Sequence, residues 1–306
     1  MNKFVKICKK TQEELKEYLP KFLKSKGYKP VVKDGFIYAK GDTVLLTAHM
    51  DTVHTAPVDQ VIFAEKGNRV SSPEGIGGDD RCGIYIIMQI LNKTDLRPSI
   101  LFCEDEEIGG IGSNKFNNSK YADQIQKLKF FIELDRMDAK DAVFYNCDNP
   151  EFTEWIISET GYTEAYGSFS DISHLCPAAG VAGVNLSCGY YNPHTLKEYV
   201  LLDEMENTIN VTINLIEAAK AEEVPQFEYI EAKRPNFYSR LYDYNYDYDY
   251  DYKGIYGGVW IEYYDPATDT TGDEFVYGNT LEEAVGKFLM DHPTMSWGCI
   301  YNYEEY

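Results

Sequence analysis

Four short apolar runs constrain this chain most: Val44-Leu45-Leu46-Thr47-Ala48, Ile100-Leu101-Phe102-Cys103, Phe130-Phe131-Ile132 and the stretch from Val181 to Leu186. They are nearly continuous rather than alternating. Strands of that kind must be covered on both faces, as in a parallel sheet packed between helices. Helical patterns lie between them. Residues 81–91 place Ile84, Ile87, Met88 and Leu91 on one face, and residues 149–160 carry Phe152, Trp155 and Ile156. After His194, the residues Leu201, Met205, Ile209, Ile213 and Ile216 recur at helical spacing as far as Lys220. A more polar helix is expected over 115–128. An N-terminal helix is expected over 11–26, capped by Thr11 and kinked or split at Pro20. Short strands are expected around Val31–Val32 and Gly35–Tyr38. Strands alternating with helices predict an α/β fold with both sheet faces covered.

The length of 306 residues suits a main domain plus an appendage. The main domain is expected over 1–222. A linker follows over 223–252 and includes a tract, 242–252, in which Asp and Tyr alternate except at Asn245. That tract reads as a solvated acidic loop or edge strand rather than a binding motif. Residues 253–306 are expected to form a small α+β unit: strands near 259–264 and 274–277, a helix over 280–290 capped by Thr280 with Glu283, and a closing strand over 300–303.

A net charge of −21 argues against nucleic acid and anionic membrane surfaces as partners. The cysteines number seven, with no CxxC pair, which fits free thiols in a reducing, cytoplasmic compartment. No signal-peptide pattern or membrane-spanning stretch is evident.

Polar residues follow the apolar runs directly. His49, Glu106, Glu107, Asp135 and His194 fall at or just beyond expected strand ends, and Asp79 lies in a Gly-rich turn before a helix. Ligands bind outside the carboxyl ends of strands in open α/β sheets, so these tips aim at one edge. That many acids in one cleft cannot all stay ionised without a counterion, and Arg81 and Arg136 are the only strong cations beside them. One or two divalent metals would solve the problem. Imidazole and carboxylate donors without cysteine fit zinc, manganese or cobalt. Two such ions, about 3.5–4 Å apart, would activate a water between them. Glu106 and Glu107 diverge if the backbone is extended, so one can coordinate while the other acts as general acid/base on a metal-bound water. Asp51 can orient the His49 ring.

These segments resemble a known group. His49-Met50-Asp51-Thr52-Val53 is similar to the HxDTV motif of the co-catalytic zinc peptidases, the M20, M28 and M42 aminopeptidase-like superfamily. Gly77-Gly78-Asp79-Asp80-Arg81-Cys82-Gly83 resembles their GADDKxG segment, with Arg81 where lysine is usual. Asp105-Glu106-Glu107-Ile108-Gly109 resembles DEExG, and Asn192 to Val200 resembles the region of the last histidine. The order agrees over roughly residues 40–220. The resemblance implies a mixed, mostly parallel sheet between helices and hydrolysis of a peptide or related amide. It implies that His49, Asp79 and Asp135 hold one ion and that Asp79 bridges to a second at Glu107 and His194. Glu106 would be the acid/base and Asp51 the support of His49. The interval from Asp135 to His194 leaves no room for the lid domain usual in M20 enzymes. The segment Ser168 to His174 is a candidate replacement for its contribution to the substrate site. There His174 could stabilise an oxyanion or merely pack, and Asp171 could meet substrate; Tyr190 could line the pocket. His54 reads as a loop residue.

The expected activity is cleavage of short peptides by a two-metal hydrolase, an aminopeptidase by preference, with zinc first among the candidate ions. A deacylase or amidase of N-acyl amino acids is the alternative. A non-catalytic scaffold using the tyrosine-rich tail is a third reading. Oligomeric state is left open.

Overall fold

The computed structural model describes residues 2–167, 169–221, 224–232, 258–265, 270–277, 288 and 300–305. Contacts divide the chain into two units, Met1–Arg234 and Pro235–Tyr306. In the first unit the chain begins with α1 (Asn2–Cys8), α2 (Gln12–Ser25), β1 (Val31–Lys33), β2 (Phe36–Ala39) and β3 (Asp42–His49). It continues through β4 (Ile62–Ala64), β5 (Arg69–Ser71), α3 (Gly78–Lys93), β6 (Pro98–Cys103), α4 (Ile111–Asn117), β7 (Phe131–Arg136) and β8 (Asp141–Val143). Then come α5 (Pro150–Thr160), β9 (Thr163–Ala165), α6 (Ile172–Ala179), β10 (Gly183–Ser187), β11 (Tyr190–Tyr191), β12 (Tyr199–Leu201) and α7 (Leu202–Lys220).

An eight-stranded sheet runs in the order β1-β2-β6-β3-β7-β10-β8-β9. Its four central strands, β6, β3, β7 and β10, are mutually parallel; β2 and β8 flank them antiparallel, with β1 antiparallel to β2 and β9 parallel to β8. The apolar runs occupy these central strands, buried on both faces. Side-chain parity divides them between two cores. Val44, Leu46, Ala48, Ile100, Phe102, Ile132 and Leu134 face one core, completed by residues of α1, α2, α3, α5 and α7. Leu45, Leu101, Cys103 and Phe131 face the other, covered by Phe116 of α4 and by Ile172, Leu175 and Cys176 of α6. α3 presses closest: a Cβ on Gly83 would lie 2.0 Å from the Leu134 carbonyl oxygen. A smaller sheet, β11-β12-β5-β4, stands beside the first.

Several expectations change. Pro20 does not split α2, which stays one helix, with Thr11 and Glu14 forming a reciprocal capping box and Pro20 buried. The helix expected over 115–128 starts earlier and stops at Asn117, where Asn118 and Ser119 turn the chain into a short 3-10 segment, Ala122–Gln124. α1, α6 and the smaller sheet had no expected counterpart. Residues 224–232, expected in a linker, lie against the main sheet. Phe227 exchanges backbone bonds with Lys129 and Ala182 (2.8 and 2.9 Å) and stacks on Trp155 at 5.5 Å.

In the second unit β13 (Gly258–Asp265) pairs antiparallel with both β14 (Thr270–Tyr277) and β15 (Ile300–Glu305). The strands expected there fall within these three. The tract 242–252 lies outside the described residues, as does the helix expected over 280–290 apart from Phe288, which is helical and buried.

Candidate metal centre

The carboxyl ends of the parallel strands converge as expected. His49 ends β3, Glu106 and Glu107 follow β6, and Asp135 is near the end of β7. β10 leads through β11 into the turn carrying His194, and Asp79 lies in the first turn of α3. Asp79 is not in helical conformation, and its peptide with Asp80 is cis. Its carboxylate lies between two imidazoles: Oδ1 is 2.9 Å from His49 Nε2 and Oδ2 is 3.2 Å from His194 Nε2. Asp135 Oδ1 is 3.5 Å from His49 Nε2, and Glu107 Oε2 is 3.1 Å from His194 Nε2. Among the described residues two donor groups gather, His49 with Asp79 and Glu107, and His49 with Asp80 and Asp135.

The segments bearing these residues hold one another by their backbones. Asp51 Oδ1 meets His49 Nδ1 at 3.0 Å and accepts the Glu106 amide at 3.1 Å, while Oδ2 accepts the Glu107 amide at 3.0 Å. Asp80 accepts the amides of His49 (3.1 Å) and Gly83 (2.8 Å). Asn185 accepts the Asp135 amide at 2.9 Å, and Ser170 donates to Asp135 Oδ2 at 3.1 Å. Glu198 accepts amides from Gly77 and Asp79. Arg81 donates to the carbonyls of Met50, Asp51 and Lys10, anchoring the turn beyond β3 rather than neutralising the acids. Arg136 is turned to Asp141 at 3.0 Å.

Electrostatics follow from burial and crowding. His49 is fully buried, which works against its charge, but Asp135, Asp51 and Asp79 outweigh that and push its pKa well up. Hydrogen bonds to Asp79 and Glu107 push His194 up to about 11. Burial would raise Asp79, yet the two imidazoles hold it below the usual carboxylate range. Burial, with Asp79 beside it, pushes Asp135 up to about 7. Burial pushes Glu106 up to about 10, with Asp135, Asp171 and Asp79 adding to the rise.

Sequence candidates for substrate contact are placed differently. Asp171 has no exposed surface and both its oxygens lack a hydrogen-bond partner. Burial raises its pKa; Ser113 is near enough to temper the rise but gives its proton to the Gly110 carbonyl. Tyr190 is buried and turns its hydroxyl to Asp135 Oδ1 at 3.3 Å, a supporting contact. His174 Nδ1 meets Asn114 Nδ2 at 2.9 Å, and its ring packs edge-on against Phe169 beside Gly110. Glu133, two residues before Asp135 on β7, is fully buried and accepts the Ile172 amide. Asp80, Asn185, Ser170 and Glu198 are contacts that the sequence reading does not single out. The signal available for Asp80 and Glu198 was an acid within a ligand-bearing segment.

The donors fit divalent cations. Asp79 offers one oxygen to each side, three further acids and two imidazoles surround it, and Glu107 Oε1 is buried without a partner. The same acids that hold a proton on each imidazole would hold a cation in its place. A cleft of about 330 Å³ borders the centre at Asp51 and Gly77 and is lined also by Gln12, Thr52 and Pro57.

Residues 37–171 match the family described as Peptidase family M28. No curated protein sequence matches. Among solved structures, aminopeptidase PepT from Bacillus cereus superposes with a TM-score of 0.55 at 15% identity, over 71% of this chain and 97% of that one. A tripeptidase from Staphylococcus aureus gives 0.57 at 12% identity, over 71% and 97%. A TET aminopeptidase from a marine-sediment thaumarchaeon gives 0.57 at 13%, over 73% and 99%. At these identities the structures speak for the fold, and the family match speaks for the chemistry. No helix among the described residues is long and apolar enough to cross a membrane. An M28 peptidase match thus spans β2 to the start of α6 in an aminopeptidase-like α/β fold, and together they support a metallopeptidase.

Proposed function

We propose that the protein is an aminopeptidase for short peptides, working with two divalent cations, zinc first among the candidates. One observation carries this reading: the Asp79 carboxylate spans the 2.9 and 3.2 Å gaps to His49 and His194, as a bridge between two ions would. Asp135 completes the donors on the His49 side and Glu107 those on the His194 side. Cations held there would polarise the scissile carbonyl and bring the pKa of an attacking water to roughly 7.

The chain's own residues do the rest. Glu106 takes the proton of the attacking water and returns it to the leaving amine. Its carboxyl is raised by burial, and nearby positive charge lowers it toward the range useful for both steps. Asp51 grips the amides of both Glu106 and Glu107, so the acid/base and a cation ligand are set by one anchor. The excess of acids favours a substrate that brings its own ammonium group, hence a free amino terminus. The aminopeptidase and tripeptidase names of similarly folded proteins agree with that preference.

The test is a panel of aminoacyl-amides, di- and tripeptides and N-acyl amino acids, assayed with and without a chelator. Hydrolysis confined to free amino termini, and abolished by the chelator, is expected. Turnover of N-acyl substrates alone would replace this reading with that of a deacylase.

A further inference from the structure

We propose that Glu198 is a positioning residue that ties the His194 segment to the Asp79 segment and so governs the ion held by Glu107 and His194. This rests on the two-ion reading above.

Glu198 has no exposed surface, and both its oxygens are engaged. Oε2 accepts the Gly77 amide at 2.9 Å and meets His54 Nε2 at 2.9 Å; Oε1 accepts the Asp79 amide at 3.0 Å. A buried carboxylate is tolerable only with such partners, and these leave it little freedom. The glycines of this turn make the room. A Cβ on Gly78 would lie 3.1 Å from Glu198 Oε1 and 2.8 Å from Tyr190 Cβ, and one on Gly75 would lie 2.3 Å from the His54 ring.

Glu198 is joined to His194 by a turn stapled to itself. The Glu198 amide bonds the Thr195 carbonyl at 3.2 Å, the Thr195 hydroxyl bonds the Asn192 carbonyl at 2.9 Å, and it also accepts the Lys197 amide at 3.1 Å. A displaced Glu198 therefore carries His194 with it. The opposite side of the centre shares Asp79 but has anchors of its own. There the amides of His49 and Asp135 are held by Asp80 and Asn185. The contrast extends to exposure: the His49 side chain is 0% exposed and that of His194 is 44%. The open side is the one that needs a tether.

The experiment titrates metal-stripped wild type, E198Q, E198D and H54Q with Zn²⁺ by calorimetry, and follows Co²⁺ spectra and the split between kcat and KM. Gln keeps one acceptor but turns an NH₂ toward a backbone N–H. For E198Q we expect the weaker of two binding steps to lose roughly 10–100-fold in affinity while the tighter step stays within about threefold. kcat should fall with KM nearly unchanged. E198D should recover part of the weaker step. H54Q, which keeps both amide bonds, should shift the same step by a smaller factor. Equal shifts in both steps, or no shift in a folded variant, would overturn the assignment. If the Glu198 variants do not fold, H54Q decides by the same criterion. A wild-type titration with a single step would overturn the two-ion reading itself and this proposal with it.

Discussion

Replacing Asp51 by asparagine tests how much of the centre hangs on one anchor. Asp51 is 14% exposed at its side chain, so solvent screens its bonds little. Oδ1 serves His49 Nδ1 and the Glu106 amide; Oδ2 serves the Glu107 amide. Asparagine can keep its oxygen at the Oδ1 position, which leaves its NH₂ facing the Glu107 N–H. One charge-assisted bond is then lost outright, at about 1.5–3 kcal/mol. The other two become neutral and weaken by about half, roughly 1 kcal/mol each. The sum, about 3–5 kcal/mol, sets a ceiling near 10²–10⁴-fold on the loss of transition-state stabilisation. Part of that loss will appear as lower folding stability. The expectation is therefore a fall in kcat/KM of roughly 100-fold, with a lower melting temperature in the same preparation. Steady-state kinetics at saturating metal, paired with thermal unfolding, reads both. A D51N enzyme within about threefold of wild type would refute the idea that this carboxylate sets Glu106 and Glu107.

Other outcomes follow from the same geometry. E106Q should lower kcat by roughly 10²–10⁴-fold while the protein still binds its metal, measured by metal analysis after gel filtration; unchanged turnover would remove Glu106 from the acid/base role. Asp171 is raised above its ordinary value of 3.8 by burial, so the folded state keeps a proton that the unfolded chain releases. Wild type should thus lose stability as pH rises from about 4 toward the folded value, and D171N should flatten that part of a melting-temperature profile. Asp51 and Asp79 work in the other direction. Both are held below the ordinary range, so their contribution is present above about pH 4 and lost as pH falls through their folded values. G83A would drive a Cβ into the Leu134 carbonyl, so chemical denaturation should show a loss of several kcal/mol or no folded protein at all.

Much of this was legible in the sequence because the governing pattern is one-dimensional. Residues 44–48 and 100–103 are apolar at every position but Thr47, and only strands covered on both faces need that. Polar residues at or just beyond the end of such a run mark the strand end where ligands bind, which singles out His49, Glu107 and Asp135. What stayed hidden depends on pairing across the chain. Glu198 lies 119 residues from the amide it holds at Asp79, and Asn185 lies 50 from Asp135. No local spacing encodes those bonds. The burial of Asp171 is hidden for the same reason: its segment, read from the sequence as a candidate for the substrate site, gives no sign that α6 and the sheet enclose it. Pro20 misled in the opposite sense, because a capped, well-packed helix absorbed the one missing backbone bond.

The crossing of residues 224–232 beneath the main sheet decides where the first unit can be cut. Phe227 lies among Phe130, Phe152 and Trp155, with ring centres 5.0 to 6.3 Å apart. A chain shortened to the last turn of α7 would strip the lid from that aromatic nest, at a cost of about 3–5 kcal/mol for the phenyl ring alone. Anyone trimming the tail to isolate the hydrolase should leave everything through Ala232, whose amide still fastens to Asn146.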